Sequence, residues 1–142
     1  MAKFNSRYSK FTLTDSGGTA RDLSAYITGV DGLPGRRNLS DVTALGDAGI
    51  KHAVALEDVQ ITLDILFDDT ATSGPDVVLG TLRKYTAATA FAYGPKGSSA
   101  AALKYSGTCW VQEYTLTSRV GDMVKARAVL AVEGTVTRGT FT

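Results

Sequence analysis

The sequence has almost none of the side chains that build metal centres or disulfides. Its 142 residues include one cysteine, Cys109, and one histidine, His52. A lone cysteine has no partner for an intrachain disulfide, and zinc sites need several Cys or His ligands. We therefore expect no cofactor and no metal site, and we interpret Cys109, which lies in an apolar run, as a small buried hydrophobic residue.

Long hydrophobic runs and an excess of either charge are also lacking. No apolar run approaches the roughly 18 residues that cross a membrane, and residues 1–7 have no hydrophobic signal core. The formal net charge is +1, whereas free-standing nucleic-acid binders normally carry a basic excess on one face. The sequence therefore predicts a soluble protein made in the cytoplasm, whose weak self-repulsion permits self-association.

Catalytic motifs are equally scarce. Imidazole catalysis would have to use His52, and although Ser40 and Asp41 are near it in sequence, triads are recognised by geometry. The Asp68-Asp69 pair is more typical of a solvated turn than of an acid/base site, and no phosphate-binding loop motif occurs. We expect no enzymatic activity.

What the chain does have is strand patterning. Between Leu56 and Phe67 the odd positions from Val59 onward are apolar and the even positions from Asp58 to Asp64 are polar, which predicts a strand with one face in the core. Apolar residues of both parities around Gly107 and Gln112 predict a β-bulge near one of them. Further strands are predicted at about 8–15, 21–30, 89–93, 104–117 and 123–136, with hairpin turns at 15–18 and 118–122.

One helix is predicted at about 75–86. Pro75 and Asp76 suit a helix start, and Val78, Leu79, Leu82 and Tyr85 form an apolar stripe. The fold class is therefore mainly β: an antiparallel β-sandwich or barrel with one flanking helix. We predict a single domain, 1–142, with an N-terminal arm at 1–7 and a C-terminal arm at 136–142.

The segment from Asp31 to His52 has no sustained strand or helix period, so we predict a long loop. It is rich in glycine yet too apolar for a solvated linker, and we predict that it becomes ordered against another copy of the chain. Arg36-Arg37 could be a solvated pair, a nucleic-acid contact, or a salt bridge to Asp41, Asp47 or Glu57-Asp58 of a neighbouring copy. The candidate interface residues are Leu33, Pro34, Gly35, Arg36, Arg37, Leu39, Asp41, Leu45, Gly46, Asp47, Gly49, Ile50 and Lys51.

The order of these motifs resembles the tail tube (major tail) proteins of long-tailed bacteriophages. The resemblance is carried by DLSAYITGVDGLPG (22–35), LSDVTALGDAG (39–49), Asp68-Asp69-Thr70, a helix after Pro75 and EGTVTRG (133–139). The layout is also similar to the inner-tube proteins of contractile injection systems.

The resemblance implies a structural virion protein of the phage tail, assembled in the host cytoplasm without catalysis. Copies would form hexameric rings stacked into a hollow tube for transient DNA passage, with tape measure and tail completion proteins as further partners. The 31–52 loop would contact neighbours and adjacent rings, and the terminal arms would join subunits. Candidate lumen-lining residues are Asp58, Gln60, Thr62 and Asp64, the polar face of the 56–67 strand.

Two points stay open. A lumen that releases DNA should be acidic or neutral, and Lys125 and Arg127 fit that expectation poorly if they face inward. The alternative functions are a minor tail-ring component and a β-sandwich module that binds carbohydrate or a receptor. The binding module would need a surface cluster of Trp and Tyr, whereas we interpret Trp110, the one tryptophan, as a core residue.

Overall fold

The structure, a computed structural model, describes residues 6–142. Most of the predicted N-terminal arm, residues 1–5, therefore lies outside the described residues. A 3₁₀ turn at Ser6–Tyr8 is followed by nine strands and one helix: β1 (Lys10–Thr14), β2 (Ala20–Asp22), β3 (Ile27–Asp31), β4 (Arg37–Asp41), β5 (His52–Glu57), β6 (Gln60–Leu66), α1 (Pro75–Leu82), β7 (Thr89–Gly94), β8 (Leu103–Thr117) and β9 (Lys125–Thr140).

Seven strands form one antiparallel sheet in the order β2-β1-β7-β8-β9-β6-β3, and β4 pairs with β5 in a separate two-stranded sheet. The mainly antiparallel β fold with one flanking helix is thus confirmed. The closed-barrel form is not found, because β2 and β3 stand at opposite ends of the strand order and do not pair with each other in the described part of the chain.

The two longest strands, β8 and β9, form a ribbon that organises the sheet. β6 pairs with residues 125–131 of β9, whereas β7 pairs with residues 105–109 of β8, so the two flanking half-sheets are staggered along the ribbon. The β8–β9 register shifts twice, between Ser106 and Thr108 and between Val111 and Glu113. The predicted bulge is therefore confirmed, and it occurs at both candidate positions, Gly107 and Gln112.

The core lies on one face of the sheet. Val59, Ile61, Leu63 and Ile65 are buried, as their alternation predicts, and Cys109 is buried as well. Phe11 of β1 and Phe91 of β7 stack with ring centroids 6.2 Å apart. Burial of this apolar surface, at about 25 cal/mol per Å², is the main force that holds the sheet in place.

The helix covers part of this core and begins at Pro75 as predicted, but it ends at Leu82, so Tyr85 lies beyond it and is exposed. Pro75 occupies the first turn, and Val78, Leu79 and Leu82 are buried. The Tyr114 hydroxyl of β8 donates a hydrogen bond to Asp76 Oδ1 over 3.0 Å, which fixes the first turn to the sheet.

Two predicted strands are interrupted. The continuous strand at 21–30 is wrong, because the Ser24 N–H donates to Asp22 Oδ1 and the Tyr26 N–H to the Leu23 carbonyl, which turns the chain. Its two halves, β2 and β3, consequently join opposite ends of the sheet. The strand predicted from Leu56 to Phe67 likewise breaks into β5 and β6 around residues 58–59.

The prediction of an irregular loop at 31–52 holds for residues 32–36 and 42–51, whereas residues 37–41 form a strand. The segment contains the end of β3, all of β4 and the first residue of β5, and β4 and β5 pair as a hairpin. The segment shows no hydrophobic periodicity because both faces of this hairpin meet solvent, and neither face therefore needs to be apolar. The segment named as the C-terminal arm continues β9 as far as Thr140, paired with β8.

Candidate assembly surfaces

Residues 37–57, here called the projecting hairpin, form the first candidate surface. Apart from half-buried Ala55 in β5, every residue of β4 and β5 is exposed. Leu39 stands opposite Val54, Asp41 opposite His52 and Arg37 opposite Glu57. The hairpin therefore has a defined register, with one shift between Arg37 and Leu39, without the support of a core.

Large apolar side chains lie open on this hairpin. Leu39 is 52% exposed, its cross-strand partner Val54 is 67% exposed, and Leu56, Leu45 and Ile50 are more exposed still. Single exposed apolar residues are common, but a contiguous group of them marks an interaction surface. The predicted interface residues Leu39, Leu45 and Ile50 thus all meet solvent.

The base of the hairpin is held firmly to β6. Gly32 and Gly35 have φ of +103° and +108°, a Cβ on Gly32 would lie 2.0 Å from the Gln60 carbonyl oxygen, and one on Gly35 would lie 2.5 Å from Val59 Cγ2. Between them, Leu33 is half-buried against the core and precedes a cis bond to Pro34. Only glycine fits these two positions, so the connection that aims the hairpin is tightly specified.

The tip of the hairpin is tied by its own polar groups. Asp47 pairs with Lys51 over 2.8 Å and accepts the Ala44 N–H at 2.7 Å. Asp41 accepts the Thr43 N–H at 2.9 Å, and Thr43 Oγ1 accepts the Lys51 N–H at 2.9 Å. The Lys51 contact lowers the pKa of Asp47, and hydrogen bonds from Thr43 lower the pKa of Asp41. Around them, Gly46 and Gly49 have open space where a Cβ would lie.

The arginine pair divides between two environments. Arg37 faces Glu57 within the same hairpin. Arg36 lines a shallow cleft of about 500 Å³ together with Asp31 and Asp58. Among the described residues neither arginine has a carboxylate within 4.0 Å, and Asp47 is engaged by Lys51. A bridge from Arg36 or Arg37 to a neighbouring copy stays a prediction.

The pleat of the β-strands prevents the three residues of the hypothetical catalytic triad from pointing to one side of the hairpin. Asp41 and His52 are opposite each other, but Ser40 pairs with Ala53, and adjacent strand residues point to opposite faces. Within residues 6–142, no group of three or more His, Cys, Asp and Glu side chains could hold a metal ion, and no helix is long and apolar enough to cross a membrane.

The second candidate surface is the polar face, defined as the side of β6, β9 and β8 that points away from the core. It carries three of the predicted lumen-lining residues, which stand opposite residues of β9: Gln60 opposite Ala131, Thr62 opposite Val129 and Asp64 opposite Arg127. The fourth, Asp58, precedes β6 and is exposed. Gln60 also donates a hydrogen bond to Gln112 Oε1 over 3.2 Å.

Basic side chains share this polar face. Lys125 and Arg127 stand opposite Leu66 and Asp64 on the same side of the sheet. The face is therefore mixed in charge, which the sequence left undecided.

Trp110 belongs to the polar face as well. It pairs with Ala131 and is 38% exposed, so its assignment to the core is wrong. The bulge at Gln112 interrupts the alternation, so Trp110 and Tyr114 lie on opposite faces although both are even-numbered, and Tyr114 stands opposite buried Ala128. No ring contact to Trp110 occurs within residues 6–142, so the aromatic cluster that a carbohydrate-binding module would need is absent from this part of the chain.

Sequence reasoning missed a further exposed apolar group at the turn of the β8–β9 ribbon. Leu116, Val120 and Met123 are all exposed there. The available signal was Val120, an apolar residue within the predicted turn at 118–122. The ribbon also has free sides: residues 133–140 of β9 and 110–117 of β8 have no second strand partner within the described chain.

Comparison with known proteins places the fold. No family model matches the chain, and no curated protein matches it significantly. A chain from the tail of an empty gene transfer agent particle with C6 symmetry superposes with a TM-score of 0.74, at 14% identity over 99% of both chains. A chain from the sheath/tube terminator of an extracellular contractile injection system gives a TM-score of 0.70, at 10% identity over 99% of both chains.

The Dit protein of phage SPP1 is also similar, with a TM-score of 0.53 and 14% identity over 88% of this chain and 49% of its own. These identities are low, so the likeness concerns the fold. The resemblance to tail tube proteins that the sequence predicts is thus confirmed as a fold shared with chains from gene transfer agent tails and contractile injection systems.

Proposed function

We propose that the chain is a structural subunit of a tail tube. Copies join side by side into hexameric rings, and the rings stack into a hollow tube through which DNA passes to the host. The projecting hairpin, with Leu39 and Val54 open to solvent, is the observation that carries this proposal. Exposed apolar side chains do not stabilise a monomer, whereas contact with a second copy would remove them from water.

The free strand edges support the same conclusion. Unpaired edges are ready templates for pairing with another chain, and this sheet has them at β2, at β3 and along half of each ribbon strand. A head-to-tail contact of this kind closes into a ring when its rotation permits. The C6 symmetry of the gene transfer agent tail, which shares the fold, supports six copies per ring.

Negative-stain electron microscopy of the purified protein tests the proposal. We expect six-fold rings and tubes for the natural sequence. The double variant Leu39→Thr/Val54→Thr keeps strand propensity but removes the apolar pair, so it should stay unassembled with an unchanged circular dichroism spectrum. Val77→Thr, a change at an exposed apolar residue of α1 outside the candidate surfaces, is the matched control and should still assemble.

Removal of the whole projecting hairpin is a stricter version of this test. Because Gly35 contacts Val59, the two ends of the hairpin lie together, and a Gly-Ser-Gly linker can replace residues 37–57. We expect a folded monomer. A natural protein that stays monomeric at high concentration, or a deletion variant that still polymerises, would contradict the proposal.

A minor tail-ring role is the second candidate. It is favoured by the match to a chain from a sheath/tube terminator complex. The same images separate the two candidates, since a tube subunit polymerises into long tubes whereas a ring component stops at single rings.

A further inference from the structure

We infer that Asp64, together with Glu113, masks Arg127 electrostatically, so that the polar face does not retain nucleic acid. The inference rests on the proposed function in one respect, which is that the polar face lines the lumen of the tube. The charge relationship itself belongs to the single chain. It places acidic residues beside the basic residues of the polar face, which in the proposed tube would meet the passing DNA.

Arg127 and Asp64 are direct register partners across β9 and β6. Side chains directly opposite in an antiparallel pair have Cβ atoms about 4.5–5.5 Å apart. On the other side of β9, Glu113 stands opposite Val129, which is two residues along from Arg127 and on the same face. Such diagonal neighbours are about 7–8 Å apart. Two acidic residues, one on each side of β9, are therefore neighbours of Arg127 on this face.

The neighbouring cation is neutralised separately. Lys125 Nζ lies 3.5 Å from Asp122 Oδ2 at the turn of the ribbon. In the described part of the chain, Arg127 has no carboxylate within 4.0 Å. Its masking therefore acts through the local field, within the Debye length of about 8 Å at physiological salt.

Gly29 leaves room beside Asp64 on the side of β6 away from Arg127. It stands opposite Asp64 on β3, and a Cβ there would lie 3.4 Å from Asp64 Oδ2, so the carboxylate occupies the space above the glycine. The acid thus stays at the surface, where an approaching phosphate meets its charge. A guanidinium binds phosphate strongly through two parallel hydrogen bonds, and this neighbouring negative charge opposes that contact.

Binding of a mixed-sequence DNA duplex, followed by fluorescence anisotropy at 50 and 200 mM salt, tests the inference. The natural protein should bind weakly. For Asp64→Asn we expect tighter binding that also weakens more steeply with salt, by an additional factor of about 3.5 between the two concentrations for one newly contacted phosphate. Asp64→Asn/Glu113→Gln should bind more tightly still.

Two controls make the result specific. Asp69→Asn removes an exposed acid outside the polar face and changes net charge equally, so it should leave DNA binding as in the natural protein. Asp64→Asn/Arg127→Gln restores the natural net charge and should abolish the gain. An equal gain in Asp69→Asn, or a gain that persists without Arg127, would overturn the masking role.

The measurement is made on unassembled protein, and assembly is followed separately by electron microscopy. Failure to form tubes would count against the proposed function and leave the masking result intact. Tubes combined with unchanged DNA binding in Asp64→Asn would overturn the masking alone.

Discussion

Gly32 lies so close to Gln60 that a Cβ on the glycine would stand 2.0 Å from the Gln60 carbonyl oxygen. This contact joins the end of β3 to the start of β6 at the point where the projecting hairpin leaves the sheet. The direction in which the hairpin leaves the sheet is therefore set by this contact with the main sheet and not by contacts within the hairpin.

Gly32→Ala should therefore damage the protein more than a glycine change at the hairpin tip. Strain at positive φ costs about 1–3 kcal/mol, and the backbone contact adds to it. We expect a lower free energy of unfolding in urea and impaired assembly. Gly46→Ala is the control, because a Cβ there meets nothing within 4 Å, and equal effects at both sites would refute the role assigned to Gly32.

Tyr114→Phe should loosen the first turn of α1. The lost hydrogen bond to Asp76 costs about 1 kcal/mol in urea unfolding at neutral pH. Burial, followed by the hydrogen bond to Asp76, raises the pKa of Tyr114 above its ordinary value of 10. A raised folded-state pKa gives stability that is present below pH 10 and lost above it. The natural protein should therefore lose stability more steeply above pH 10 than the variant, and parallel curves would exclude this linkage.

Acid should loosen the tip of the projecting hairpin. The Asp47 pKa is lowered from 3.8 by Lys51 and the Ala44 N–H, so its contribution is present above about pH 4 and lost as pH falls through the lowered value. NMR spectra recorded from pH 6 to pH 3 should show the Ala44 and Lys51 amide resonances move together. In Asp47→Asn these resonances should already be displaced at pH 6, and a natural-like spectrum there would disprove the tie.

Cys109 should be unreactive in the folded protein. It is fully buried, and burial raises its pKa to about 12, so almost no thiolate forms at pH 8. Iodoacetamide should label the protein only after unfolding in guanidinium. Rapid labelling of the native protein would show that this part of the core opens easily.

Sequence patterns predict those parts of the fold in which one side faces the core. The alternation at Ile61, Leu63 and Ile65 and the stripe at Val78, Leu79 and Leu82 both match burial. The projecting hairpin could not be predicted in this way, because neither of its faces is buried and hydrophobic periodicity is therefore absent. Its pairing depends on cross-strand contacts such as Leu39 with Val54.

Local polar contacts and bulges account for the other differences. The alternation of Leu23, Ala25 and Ile27 continues through a turn that Asp22 creates by accepting the Ser24 N–H. The face of Trp110 depends on whether a bulge falls at Gln112, and the sequence allows either parity. The sequence predicts which side of β6 is polar. The residues that stand opposite this side on the neighbouring strands depend on the register between three strands.

The staggered ribbon also has a mechanical consequence. Within residues 6–142, strand pairing links the half-sheet that ends in β3 to the half-sheet that ends in β2 through the β8–β9 ladder, while residues 23–26 connect the two outer edges along the chain. Because β6 joins β9 near one end of the ribbon and β7 joins β8 nearer the other, tension applied between the half-sheets loads that ladder in shear. Many hydrogen bonds then resist together instead of opening one at a time. Such a subunit would yield at high force, a property that single-molecule pulling through β6 and β7, the strands that flank the ladder, would measure directly.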